Sequence, residues 1–199
     1  MSLATDIIAA FKQDTRGLPL FTQGGARYED LARRGQQYGT MATGAVAALV
    51  VRPTVTAAFE IWNQHPQGKV MVIDRIFSHE LVTSTTGLGG GAGIWAMVGP
   101  QIAPTDAALA INSINGGGIP GTATVRTAAS QTVEDHGWFP YGNALKKESA
   151  GAVVPGGVIE ALIEGRLRVK PGDALCIHVV SGYVADTFCS GATWFWEDA

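Results

Sequence analysis

Charge is the first shortage in this sequence. Asp, Glu, Lys and Arg make up 16% of its 199 residues, where about a quarter is usual for a globular domain. Charge is depleted in the centres of subunit interfaces, so the shortage points to a surface partly covered by other copies or other proteins. Basic residues never run beyond two in a row (Arg33-Arg34, Lys146-Lys147). Neutralising a nucleic-acid backbone calls for a denser patch, which disfavours nucleic acid as a partner. Two cysteines, Cys176 and Cys189, are too few for a disulfide framework and are expected as reduced, buried thiols. Long apolar runs are missing too. Met41 to Val51 is about half the length needed to cross a bilayer, and Met1 to Ala10 lacks the basic start and apolar stretch of a secretory signal. No membrane partner is expected.

Recognisable catalytic patterns are equally scarce. The histidines His65, His79, His136 and His178 are scattered and form no His-x-His pair, which argues against the metal site of cupin enzymes. Cys176 and His178 share a strand face, and Cys189 and Asp186 could complete a zinc set, but structural zinc usually comes with CxxC-type pairs. Two buried residues of a core are the plainer reading. There is no Gly-x-Ser-x-Gly elbow. Glu134-Asp135-His136 reads better as a solvated turn than as an acid–base group. Glu160 and Glu164 are spaced like a glycosidase pair, yet Arg166 and Arg168 on the same face favour a cross-strand charge ladder or an intersubunit contact. The glycine clusters near 87–93 and 116–118 lack the Gly-Lys-Ser/Thr of a phosphate loop. Trp62, Trp95, Trp138, Trp194 and Trp196 are read as core or interface rather than as a sugar platform. No catalytic, cofactor or metal residue is assigned, and no enzyme activity is expected.

What is present is strand patterning. From Ile159 to Lys170 apolar and polar residues alternate almost without exception, the period of a strand with one buried face. The Pro171-Gly172-Asp173 turn leads to Ala174–Val180, and a turn at Gly182 to a last strand ending in Trp194-Phe195-Trp196, so three consecutive antiparallel strands are expected. A simple hairpin would set Cys176 opposite Cys189. Upstream, strands are expected at 45–52, 55–62, 70–82, 94–98, 107–111, 122–129 and in an aromatic segment 133–141, with a bend or bulge at Asp74-Arg75. The fold class is all-β: an antiparallel β-sandwich of jelly-roll type over 45–199. Another Greek-key sandwich or a β-barrel is the alternative. Residues 1–44 differ. Leu3, Ile7, Ile8 and Phe11 recur at helical spacing after Ser2, and Gly17 and Pro19 end the pattern. This stretch is read as an N-terminal arm, part short helix and part extended, lying on its own sandwich or on a neighbour.

The strand Gly44-Ala-Val-Ala-Ala-Leu-Val-Val51, the turn Val169-Lys-Pro-Gly-Asp-Ala-Leu175 and the ending Phe188-Cys-Ser-Gly-Ala-Thr-Trp-Phe-Trp-Glu197 resemble virion-associated jelly-roll proteins of tailed bacteriophages, in particular capsid decoration (cement) proteins. The C-terminal glycine and aromatic strand are also similar to trimeric tumour-necrosis-factor-like jelly rolls. The resemblance covers about residues 44–198 and carries no catalytic residue. It implies a structural role on the outer capsid surface of a virion assembled in a host cytoplasm, as a homo-oligomer, with a trimer favoured, bound to the major capsid protein or another virion protein. The arm would be the clasp, with Leu3, Ile7, Ile8 and Phe11 as apolar anchors and Arg33 and Arg34 as further partner-binding residues. A trimeric receptor- or carbohydrate-binding module of a phage fibre is the alternative.

Overall fold

The computed structural model describes Leu31 and residues 36–82, 91–105, 111–114, 125–145, 157–182 and 185–198. Twelve strands account for most of them: β1 (Tyr38–Met41), β2 (Val46–Ala47), β3 (Thr56–Asn63), β4 (Val70–Val82), β5 (Gly91–Pro100), β6 (Asn112–Ser113), β7 (Val125–Thr132), β8 (Phe139–Leu145), β9 (Val158–Leu162), β10 (Arg168–Val169), β11 (Asp173–Ser181) and β12 (Thr187–Glu197). They form two sheets, and every strand ladder is antiparallel. One sheet runs β10-β4-β12-β1-β6, with β9 also on β4 and β2 also on β12. The other has five strands in the order β7-β3-β11-β5-β8.

Alternation along the strands explains why the sheets pack. Phe59, Ile61, Ile94, Ala96, Leu175 and Ile177 of the five-stranded sheet join Met71, Ile73, Ile76, Ile159, Ala161, Val169 and Trp194 of the other in one buried cluster. Each fully buried Ile, Leu or Phe contributes about 1.5–3 kcal/mol relative to its exposed state. The fold is thus all-β and sandwich-like. Strand pairing already begins at Tyr38, where β1 lies between β12 and β6, inside the stretch assigned to the arm.

The long strand β4 carries the expected irregularity. Thr193 pairs with Arg75 and Trp194 with Ile73, which leaves Asp74 as the extra residue of a bulge. On the other side of β4 the edge is also interrupted there. β9 and β10 both pair antiparallel to β4, and residues 163–167 loop out between them. Ile163 and Glu164 donate their N–H groups to Asp74 O at 2.8 and 2.9 Å, and Gly165 donates to Ile73 O at 2.8 Å. The loop needs left-handed backbone, with φ of 52° at Glu164 and 79° at Gly165. The alternation over 159–170 nevertheless survives as a burial pattern: Ile159, Ala161, Ile163 and Val169 are buried, while Glu160, Leu162, Glu164, Arg166, Arg168 and Lys170 are exposed.

Three expectations are corrected. β11 and β12 are not a hairpin, because β11 pairs with β3 and β5 whereas β12 pairs with β4, β1 and β2. The turn after Ser181 changes sheets, and so does the Lys170–Asp173 turn before β11, so the three strands are not consecutive neighbours. The stretch 45–52 is not one strand. β2 pairs with β12, and Leu49 then bridges to Val180 of the other sheet, so this Ala/Val-rich segment turns the corner between layers. The aromatic segment 133–141 is divided, with β8 starting at Phe139.

Candidate functional site

The five-stranded sheet has a second covered face. Because Phe59, Ile61, Leu175 and Ile177 point into the sandwich, their neighbours Glu60 and Cys176 point outwards. By register Glu60 stands opposite Cys176, and Cys176 opposite Met97. Met97, Ala174 and Cys176 are buried here together with Val133 and Trp138, and Trp62 and Trp95 pack against them half-buried.

Part of the cover is a strap, residues 133–138, that links β7 to β8. Arg52 clasps Asp135 with two hydrogen bonds of 2.9 and 3.1 Å, and the Gly137 N–H donates to the same carboxylate at 2.9 Å. Gln101 holds the backbone of Glu134 in both directions, donating to its carbonyl and accepting from its N–H, each at 2.9 Å. Trp138 Nε1 donates to Thr54 O at 3.0 Å and the Val133 N–H to Val55 O at 3.0 Å. The His136 ring lies on Gly99, where a Cβ would come within 2.6 Å of it, and its Nε2 is 2.8 Å from Pro100 O. Glu134-Asp135-His136 is therefore a pinned turn. Of its two acidic members Asp135 is held by Arg52, and that hydrogen bond, aided by the one from Gly137, keeps the Asp135 carboxyl below the usual carboxylate range.

In the same row as Cys176, Glu60 is 2% exposed, and its Oε1 has no hydrogen-bond partner among the described residues. Burial pushes its carboxyl up to about 7. Burial, reinforced by the adjacent Glu60 carboxylate, pushes the Cys176 thiol up, so this cysteine has the opposite of nucleophile activation. His178 is buried on the same side of β11. Its Nδ1 accepts the Val179 N–H at 2.9 Å, and burial lowers its pKa. A carboxyl that keeps its proton up to about pH 7, a thiol pushed up and an imidazole biased to its neutral form do not make an attacking group.

The other sequence candidates are dispersed. Cys189 belongs to the opposite sheet and its thiol donates to Ala42 O, while Asp186 accepts from Ser181 Oγ. The zinc set with Cys176 and His178 is therefore not assembled, and no group of three potential ligands occurs among the described residues. Both cysteines are free and buried. Glu160 pairs with Arg75 at 2.8 Å and Arg168 with Glu197 at 2.8 Å, which is the cross-strand charge ladder. Glu164 sits in the left-handed turn. Trp194 and Phe195 are both fully buried although adjacent strand positions point to opposite faces; Trp194 belongs to the cluster between the sheets. Trp196 packs edge-on against His65 with ring centroids 4.6 Å apart. Leu3, Ile7, Ile8, Phe11, Arg33 and Arg34 lie outside the described residues.

One surface was missed by sequence reading. β8 and β9 run past each other where the two sheet edges meet: a Cβ on Gly142 would fall 2.9 Å from Glu160 O. Along this side Phe139 is 63% exposed, Val158 59% and Leu162 57%, with Tyr141 beside them. Strand addition is blocked there. Pro140 has no N–H to offer, Tyr141 is the extra residue of a bulge against β5, and the 163–167 loop interrupts the neighbouring edge. This side offers side chains rather than backbone. Comparison with protein-family models, with curated proteins and with solved structures gives no significant match.

Proposed function

We propose that this chain is a non-enzymatic structural protein of a phage virion: a jelly-roll decoration (cement) subunit that acts as a homotrimer on the outer capsid surface. The strand order supports the jelly-roll reading. Taking β1, β3, β4, β5, β8, β9–β10, β11 and β12 as eight strands in chain order, one sheet reads first, eighth, third, sixth and the other second, seventh, fourth, fifth. This order is compatible with jelly-roll interleaving when β2, β6 and β7 are read as additions.

The observation that carries the functional reading is the β8–β9 side. Phe139, Tyr141, Val158 and Leu162 are exposed on edges protected against strand pairing. A contact made by side chains, in a chain short of charge, suits a seam between copies. Glu164 and Arg166, exposed on the loop beside Leu162, put both signs of charge at the rim of this apolar side, as is usual for an interface. The capsid contact would then fall to the arm residues Leu3, Ile7, Ile8 and Phe11.

Co-sedimentation with tailed-phage shells lacking a decoration layer tests this reading. The full chain should pellet with the shells, and a chain deleted for residues 2–35 should stay folded in the supernatant. The deletion must stop short of Tyr38, whose strand is bonded to β12. A full chain that never pellets overturns the proposal.

A further inference from the structure

The strap residues 133–138 are joined to the rest of the molecule by side-chain clasps, by the Val133–Val55 backbone bond and by the packing of Val133 and Trp138. Their Val133 and Trp138 pack in the cluster of Met97 and Cys176, and Glu60 is the next member of that row. The Glu60 carboxyl is nine-tenths buried and carries an oxygen with no donor. An ionised carboxylate in that position must gain either a partner or water. Lifting the strap would admit water to this row; it breaks the Arg52–Asp135 and Gln101–Glu134 contacts and the Trp138–Thr54 and Val133–Val55 bonds, and uncovers Val133 and Trp138.

We propose that the strap 133–138 is a proton-controlled latch, closed over the outer face of the five-stranded sheet while Glu60 is protonated and released when Glu60 ionises. Among the described residues, the groups along this row are few. β11 brings Cys176 and, further along, the neutral His178; β5 brings Met97 and Trp95. On β7, Ala128 is the register partner of Glu60 and Arg126 that of Trp62. The strap brings Glu134, Asp135 and His136, of which Asp135 is held by Arg52 and the His136 ring by Pro100 O. Because Cys176 is deeply buried next to Glu60, its accessibility reports the latch directly.

The test is the rate at which a dipyridyl disulfide reagent labels Cys176 in the full chain carrying Cys189→Ser, measured against the same chain with Glu60→Gln. The ratio of the two rates at each pH cancels the ionisation of the thiol itself. Opening exposes a carboxyl of ordinary pKa, so the ratio should rise by about tenfold between about pH 5.5 and 6.5 and level off above about pH 7.5. A ratio flat over this range overturns the latch. Asp135→Asn, which loosens the Arg52 clasp and leaves Glu60 in place, should speed labelling at every pH. Unchanged labelling in that variant would show that the strap is not the cover and would overturn the proposal even if Glu60→Gln failed to fold.

Discussion

Glu60 and Cys176 stand opposite each other on β3 and β11, on the side of the sheet that faces away from the sandwich core. Neither group is in its ordinary state: the carboxyl is pushed up to about 7 and, by its proximity, helps push the thiol up. Two residues 116 positions apart in sequence thus share one proton-rich, water-poor environment.

Stability should fall as pH rises because of Glu60. Its folded pKa of about 7 lies above the ordinary 4.5, so the folded state keeps a proton that the unfolded chain has already lost. The penalty is absent below about pH 4.5, grows to about pH 7 and is then constant, with an upper bound of about 3 kcal/mol. Glu60→Gln should raise the melting temperature at pH 8 by about 5 °C or more and leave it nearly unchanged at pH 4.5. Thermal melts at the two pH values check this, and equal shifts at both would contradict it.

Gly191 is fixed by its neighbours rather than by its dihedral. A Cβ there would lie 2.6 Å from Thr40 O on β1 and 2.6 Å from the Phe77 ring on β4. Backbone cannot yield as a flexible side chain can, so Gly191→Ala should cost about 3 kcal/mol. Urea denaturation would reveal it as a lower midpoint with an unchanged slope.

Asp74 anchors the bulge from within. Its Oδ2 accepts from Gln37 Nε2 at 2.9 Å and from Thr193 Oγ1 at 3.2 Å, joining the segment before β1 to β4 and β12. Asp74→Ala leaves both donors without that acceptor and should cost about 1–3 kcal/mol. Thr193→Val, which removes one donor, should cost less; the reverse order in urea denaturation would show that the hydroxyl, not the carboxylate, organises the bulge.

Much of the architecture was legible because it rests on period-two patterning. The strands 56–63 and 70–82, the bulge at Asp74 and the burial alternation over 159–170 all follow from local sequence. What local sequence hides is the choice of partner. The turns at Gly172 and Gly182 look like hairpin turns, yet each carries the chain from one sheet to the other, because the apolar faces of β10, β11 and β12 must meet across the core. Glu134-Asp135-His136 is exposed as a solvated turn should be, but its pinning was hidden because its partners Arg52 and Gln101 are distant in sequence. Glu60 reads as an ordinary polar residue of an alternating strand, and its burial follows from cover contributed by other segments. The exposed side formed by β8 and β9 was missed for the same reason. Leu162 stands among the polar residues of the 159–170 alternation and Phe139 in an aromatic segment, and nothing local tells that the two come together.

The solution mass of the purified chain, measured by light scattering across a concentration series, tests the structural reading most directly. A mass three times that of the protomer is predicted, falling to the protomer mass when Phe139 and Leu162 are both changed to Ser. A wild-type chain that stays at the protomer mass throughout the series would contradict the account.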